Sequence, residues 1–338
     1  MGKLIQLKKQ GSKNTAFTEL RNFVDSELKK TSEIINKRLV SEVPLINELA
    51  GHLVNSGGKR IRPILTIATA KMYNYSGDRH VNLAACIEFL HSATLLHDDV
   101  VDKSVLRRGE KTANTIWSNK ASVLVGDFLL SKAFEIMVED KSIEVLRILS
   151  KAASVIAEGE VMQTLADRQL DTTEDRYLKI ILSKTAELFS AACLVGSIVG
   201  GGSTSEKNAM EDFGKNLGIA FQLTDDALDY TASSSAIGKT IGDDFRECKA
   251  TLPVLLSYRR CDKQDRMFWN KTIVDGTQEN GDLEMAIKIM NKTNSIKDTF
   301  LRAKHFSDCA KDALAIIPNS IGKELLCNTA DFCVERTA

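Results

Sequence analysis

The chain has 338 residues, in which 45 Lys and Arg balance 45 Asp and Glu. That neutral balance argues against a nucleic-acid binder, and no apolar run reaches the ~20 residues that a membrane span requires. Only 4 prolines interrupt the chain, so long periodic stretches survive and an all-α fold is predicted. The cysteines (Cys86, Cys193, Cys248, Cys261, Cys309, Cys327 and Cys333) include no C-x-x-C pair, and no secretory leader is recognised. They are expected to be reduced thiols in a cytoplasmic protein.

The start carries Lys3, Lys8, Lys9 and Lys13 with no acid before Glu19, and residues 1–15 are expected to be a frayed terminus. A first helix is predicted from about Ala16 to Leu39. Pro44 opens a second, which stops near Ser56-Gly57-Gly58. Pro63 falls in the first turn of a third, where its missing N–H costs nothing. A long apolar helix follows from about Val81 to Asp102. Others fit about Lys120–Glu139, Ser142–Leu170, Thr173–Gly200 and Glu206–Tyr230, and four or five shorter ones follow Leu252. Helices of more than 20 residues are roughly 30–45 Å long, enough to enclose a deep central cavity. No linker or internal repeat divides the sequence, so residues 1–338 are expected to form one helical domain.

Two acidic clusters break this apolar pattern. Leu95-Leu96-His97-Asp98-Asp99-Val100-Val101-Asp102 ends one apolar helix. Asp98 and Asp102 are one turn apart on one face, where like charges repel and a bound cation would relieve them. Gln222-Leu223-Thr224-Asp225-Asp226-Ala227-Leu228-Asp229 repeats the arrangement. Oxygen-only ligands point to a hard cation, Mg²⁺ rather than zinc. Metals held by one or two carboxylates complete their shells with phosphate oxygens and water, which proposes a diphosphate ligand. For one cluster taken alone, a solvated helix end is the competing reading.

Cations accompany the acids. Gly57-Gly58-Lys59-Arg60-Ile61-Arg62-Pro63 is a glycine turn leading into three cations, and on a helix Lys59 and Arg62 would project from the same side. Arg107-Arg108-Gly109 follows the first cluster, Lys184-Thr185 falls within a helix, and Lys239 and Lys249 lie in the polar loop after the second. His91 lies two turns before Asp98 on the same face, placed for either a phosphate contact or core packing; His97 reads as a packing residue.

Together these motifs resemble the trans-isoprenyl diphosphate synthases. Both aspartate-rich motifs are present in order, with G-G-K-R-x-R-P, Arg-Arg-Gly, Lys-Thr and Phe-Gln-x-x-Asp-Asp, over roughly Gly51 to Leu256. The segments Ile87–Leu96 and Ala152–Val161 and the Phe221-Gln222-Leu223 run are similar to bacterial long-chain enzymes. The resemblance implies an all-α fold and a prenyltransferase that condenses isopentenyl diphosphate onto an allylic diphosphate, farnesyl above all. It implies three Mg²⁺ per site, a homodimer, and a product for a quinone side chain. Asp98, Asp102, Asp225, Asp226 and Asp229 would bind metal, with Asp99 among the catalytic residues. Arg107, Lys184, Thr185, Gln222, Lys239 and Lys249 would hold the allylic substrate, and Lys59, Arg62, His91 and Arg108 isopentenyl diphosphate. Two residues depart from the family: Cys248 stands where Gly is common and Thr240 where Pro is frequent.

In the family, the residue five before the first aspartate gates product length, and aromatics there resemble short-chain enzymes. Ala93, flanked by Thr94, leaves the tunnel open, with Phe134 and Met137 as candidates for its floor. The open gate implies, by this resemblance, a long product of about C40, with C50 as the nearest rival. A class I terpene cyclase is a weaker fit, because its second metal motif usually mixes Asn, Ser or Thr with Glu. A silent partner subunit fits less well too, because such subunits lose motif aspartates that are kept here.

Overall fold

Helix follows the apolar periodicity almost throughout the computed structural model, which describes residues 15–55, 58–107, 109–231 and 241–335. The expected frayed start up to residue 14, with Gly57, Arg108, Lys239 and Thr240, lies outside the described residues. The first predicted helix is two, α1 (Thr15–Phe23) and α2 (Asp25–Leu39), broken at Val24. The break lets each piece meet a different partner. In α1, Phe17 stacks on Phe332 of α17 (Ile321–Glu335), while α2 packs on α5 (Arg79–Val101).

Pro44 opens α3 (Pro44–Asn55) and Pro63 lies in the first turn of α4 (Ile61–Met72), both as predicted. After α5 a two-residue hairpin, β1 (Leu106–Arg107) paired antiparallel with β2 (Glu110–Lys111), precedes α6 (Ala113–Ile116) and α7 (Asn119–Glu139). Next come α8 (Ile143–Ala166), α9 (Glu174–Ile181), α10 (Glu187–Val199) and α11 (Thr204–Leu228). A π-helical segment, Leu182–Ala186, joins α9 to α10 where one unbroken helix is expected. The last third holds α12 (Asp243–Arg246), α13 (Leu252–Arg260), α14 (Lys263–Trp269), α15 (Asp282–Lys292), α16 (Ser295–Ala313) and α17.

Apolar residues run nearly all round α4, α5 and α10, so these helices are buried on most sides. They pack on one another, with α5 also against α7 and α10 against α11, which in turn lies on α16. One large apolar cluster joins these elements, and a second gathers Phe245 and Trp269 under α13 to α15. No disulfide joins the described cysteines; Cys86 and Cys193 are fully buried, and burial pushes both thiols up. Among the described residues no helix is long and apolar enough to cross a membrane.

The close approach of α10 and α11 requires glycine. A Cβ on Gly218 would stand 2.5 Å from the Ala186 Cα, and one on Gly214 2.5 Å from the Phe189 carbonyl oxygen. These obstacles are backbone atoms, which no rotamer change can clear. Gly218→Ala gains up to about 1 kcal/mol of helix propensity, but overpacking costs about 1–3 kcal/mol. The steric term should win, lowering the urea midpoint; an unchanged or raised midpoint would show that the two helices can part without cost.

Candidate active site

The half-buried stripe of α5 runs His91, Thr94, Leu95, Asp98 and on to Asp102 just past its end, so one face of the helix carries both outer aspartates. Asp99, a third of a turn away, points elsewhere. Its side chain is 4% exposed and accepts two hydrogen bonds on Oδ1 from Arg107, 2.9 Å from Nε and 2.7 Å from an Nη. The short hairpin presents Arg107 for this contact, and Asn114 of α6 ties the Asp99 and Ser104 carbonyls together. The middle aspartate therefore anchors an arginine, while Asp98 and Asp102 stay half-buried on a different face.

Two lysines from distant segments meet that face. Lys184 Nζ lies 2.6 Å from Glu160 Oε2 of α8 and 3.9 Å from Asp98 Oδ2. Lys249 Nζ lies 3.0 Å from Asp102 Oδ2 and 2.6 Å from Glu247 Oε2. The π-helical segment and Gly159 make the first contact possible. A Cβ on Gly159 would fall 2.7 Å from the Lys184 backbone nitrogen, so α8 can press against the segment carrying Lys184 and Thr185. Asp167, at the end of α8, faces both lysines, and burial pushes its carboxyl up.

The second cluster ends α11. Asp225 and Asp229 are half-buried, and the Asp229 carboxylate accepts the backbone amides of Asp243 (3.3 Å) and Asp244 (3.0 Å). Asp226 is 3% exposed. Its Oδ2 accepts the Tyr177 hydroxyl and its Oδ1 accepts Gln222 Nε2 at 2.7 Å. Gln222 Oε1 in turn accepts the Thr185 hydroxyl at 2.9 Å. Asp226 therefore sits in a buried hydrogen-bond chain rather than beside Asp225 and Asp229 on their half-buried face.

The donor set tests the expected magnesium. Among the described residues no three His, Cys, Asp or Glu side chains converge as a ready-made metal cage. Pairs of carboxylates on half-buried stripes, without nitrogen or sulfur ligands, suit a hard cation that draws the rest of its shell from phosphate and water. The residues present fit that group.

The cationic rim differs in part from the expectation. Lys59 is not on a helix, because Arg60 adopts a left-handed conformation (φ 48°) just before α4 begins, so the same-side helical spacing with Arg62 does not apply. Phe189 still brings the two together: the Arg62 guanidinium lies 4.6 Å over its ring, and Lys59 lines an adjoining apolar recess of about 310 Å³ with Phe189 and Phe221. His91, Arg60, Asp99 and Arg107 line a separate cleft beside α3 and the hairpin. His97 packs over Gly126 of α7, with its Nε2 3.2 Å from the Val123 carbonyl.

A match to the polyprenyl synthetase family spans residues 43–290. The chain belongs to that family. It is 43% identical over 302 residues to the octaprenyl diphosphate synthase of Escherichia coli, covering 89% of this chain and 93% of that one. Its fold matches a decaprenyl diphosphate synthase from Rhodobacter capsulatus with a TM-score of 0.91 at 47% identity, over 95% and 99% of the two chains. A polyprenyl synthase from Caulobacter crescentus, solved with calcium and isoprenyl diphosphate, matches with a TM-score of 0.93 at 43% identity, over 98% and 100%.

In this polyprenyl synthetase the structure brings Asp98, Asp102, Lys184 and Lys249 together and links Thr185 to Gln222 and Asp226. It separates off Phe134, which is 40% exposed on α7 and lines no interior, whereas Met137 is buried in the main cluster. Ala93 is 2% exposed in that cluster, and the Thr94 hydroxyl donates to the His91 carbonyl at 2.8 Å. Sequence reasoning assigned no role to Glu160, Asp167, Tyr177 and Glu247. Of these only Glu160, within the Glu158-Gly159-Glu160 run, carried a usable signal: a glycine inside an otherwise regular helix.

Cys248, the departure from the family's glycine, has φ 57°, a backbone conformation that favours glycine. Its thiol lies 3.6 Å from the Thr272 carbonyl and 3.4 Å from Gln278 Nε2, contacts that hold the turn in place just before Lys249.

Burial, with Glu160 and Asp102 nearby, pushes the Asp98 carboxyl up to about 7 against the attraction of Lys184 and Arg107. The folded chain thus binds this proton more tightly than the unfolded one, whose carboxyl has an ordinary value near 3.8. The associated stability is present at low pH and is lost as pH rises toward 7. Asp98→Asn should therefore raise the melting temperature by a few degrees at pH 8 and change it little at pH 4. Equal shifts at both pH values would refute the elevated carboxyl.

Proposed function

We propose that the chain is a long-chain trans-polyprenyl diphosphate synthase that adds isopentenyl diphosphate repeatedly to an allylic primer, farnesyl diphosphate, and releases octaprenyl diphosphate. The observation that carries this reading is the meeting of Lys184 and Lys249 with the Asp98–Asp102 face, with the second cluster tied to the same two segments: Thr185 donates to Gln222 of α11, and the Lys249 amide donates to the carbonyl of Asp244, whose own amide Asp229 accepts. Two acidic faces with interposed lysines suit a diphosphate bound through metal and cation together.

Asp98, Asp102, Asp225 and Asp229 would hold Mg²⁺, which supplies positive charge to a departing diphosphate. Lys184, Lys249 and Arg107 bind the same phosphate oxygens, with Arg107 held in place by Asp99. Lys59, Arg62 and His91 take the second diphosphate at the start of α4 and the middle of α5. When the allylic C–O bond breaks, its electron pair leaves with diphosphate, and the Thr185 and Gln222 oxygens face the resulting cation with their dipoles. The isopentenyl double bond closes the new C–C bond, and the released diphosphate accepts the proton then lost.

Arg108 and Lys239 join these sets by family resemblance alone. A homodimer is proposed on the same ground, through the α7 stripe where Val123, Leu124, Phe134 and Val138 lie exposed. The likeness to a decaprenyl synthase at 47% identity makes a ten-unit product the second reading.

The test is product analysis after incubating purified protein with farnesyl diphosphate, isopentenyl diphosphate and Mg²⁺. A ladder ending at octaprenyl diphosphate supports the reading, and one ending at decaprenyl replaces the product assigned. Termination after one or two additions would refute a long-chain enzyme. Inertness with every allylic primer would favour a silent subunit.

A further inference from the structure

Tyr177 lies in none of the motifs that define the site, yet its hydroxyl begins a hydrogen-bond chain that ends in it. The residue is 5% exposed, and its ring packs among Ile181, Ile219, Leu223 and Leu252. Its hydroxyl donates to Asp226 Oδ2. Asp226 Oδ1 accepts Gln222 Nε2 at 2.7 Å, and Gln222 Oε1 accepts Thr185 Oγ1 at 2.9 Å. Each link fixes the next. With its nitrogen committed to Asp226, the Gln222 amide cannot flip, so its oxygen is held toward Thr185. Both oxygens of Asp226 are engaged in an interior where an unmet carboxylate is costly, so the carboxylate is held in one orientation.

We propose that Tyr177 is a positioning residue: through Asp226 it orients the Gln222 and Thr185 dipoles toward the allylic substrate, and Asp226 serves this chain rather than metal binding. The inference rests on the reading of Gln222 as a substrate-facing group. The two cluster centres then share one logic. Asp99 and Asp226 each follow a half-buried aspartate by one residue, which turns them about 100° around the helix to positions where both are 3% exposed. There Asp99 anchors Arg107 and Asp226 anchors Gln222. Tyr177 reaches Asp226 from α9.

The experiment is a double-mutant cycle on the full-length enzyme with Tyr177→Phe and Gln222→Ala, measuring kcat, both KM values and the Mg²⁺ concentration for half-maximal rate. Tyr177→Phe should lower kcat about tenfold, as for one misaligned dipole, and leave the KM values and the Mg²⁺ requirement within about twofold. In the Gln222→Ala background it should cost nothing more. The same tenfold loss in that background would make Tyr177 a structural residue and overturn the proposal, as would an unchanged kcat in Tyr177→Phe alone. If Gln222→Ala alone retains full activity, the reading of Gln222 fails and the inference fails with it. Should Tyr177→Phe fold poorly, Asp226→Asn supplies the measurement. A lowered kcat at an unchanged Mg²⁺ requirement supports the chain, and a Mg²⁺ requirement raised tenfold or more returns Asp226 to the metal.

Discussion

Asp102→Ala should lower kcat by about three orders of magnitude, because it removes an interaction with the departing diphosphate worth several kcal/mol. The side chain is 18% exposed and is one of two carboxylates that meet Lys249. Its loss therefore acts twice: a metal ligand disappears, and Lys249 is left to Glu247, drawn away from the phosphate oxygens it would bind. Asp102→Asn separates the two effects, since it keeps the shape and an acceptor but removes the charge. Both variants should need far more Mg²⁺ for half-maximal rate. Initial rates with labelled isopentenyl diphosphate across a Mg²⁺ titration measure this. An Asp102→Ala enzyme within tenfold of wild type would remove Asp102 from the metal site. Asp99→Asn should behave differently, with a lowered rate at a nearly unchanged Mg²⁺ requirement, because Asp99 acts through Arg107.

Ala93→Tyr should shorten the product from a long polyprenyl chain to one of a few isoprene units. Ala93 is almost fully buried on α5, next to Thr94 on the stripe that leads down from Asp98. A phenol ring there adds bulk to a packed interior and closes the path of a growing chain. The same overpacking costs about 1–3 kcal/mol of stability, so the variant should also melt lower. Ala93→Ser adds one atom and should keep the long product, which separates blockage from mere destabilisation. Thin-layer or mass analysis of dephosphorylated products reads the outcome. An unchanged length distribution in a folded Ala93→Tyr enzyme would show that Ala93 is no gate.

Residues that act through their own helix were the most legible. The period of α5 places Asp98, Thr94 and His91 on one face without knowledge of any neighbour, and the structure keeps them there. Helix starts at Pro44 and in the turn before Pro63 follow from the ring's fixed φ and missing donor. Where neighbours intervene, periodicity misleads. Lys59 and Arg62 were expected on one helical face, but the left-handed Arg60 removes Lys59 from the helix, and the Phe189 ring brings the two together instead. Phe134 has the composition of a tunnel residue and faces outward, because α5 takes the other face of α7.

Sequence by itself determined the all-α class, the family, and the two carboxylate faces, since each depends on local periodicity and short motifs. Only the tertiary structure decided which aspartates meet lysines and which meet Arg107, Gln222 and Tyr177. It alone placed Lys249 on Asp102, 147 positions apart in the chain, and Glu160 on Lys184 across a π-helical segment. Those pairings are set by how helices cross and where glycine lets backbones approach, and no period within a single helix carries that information.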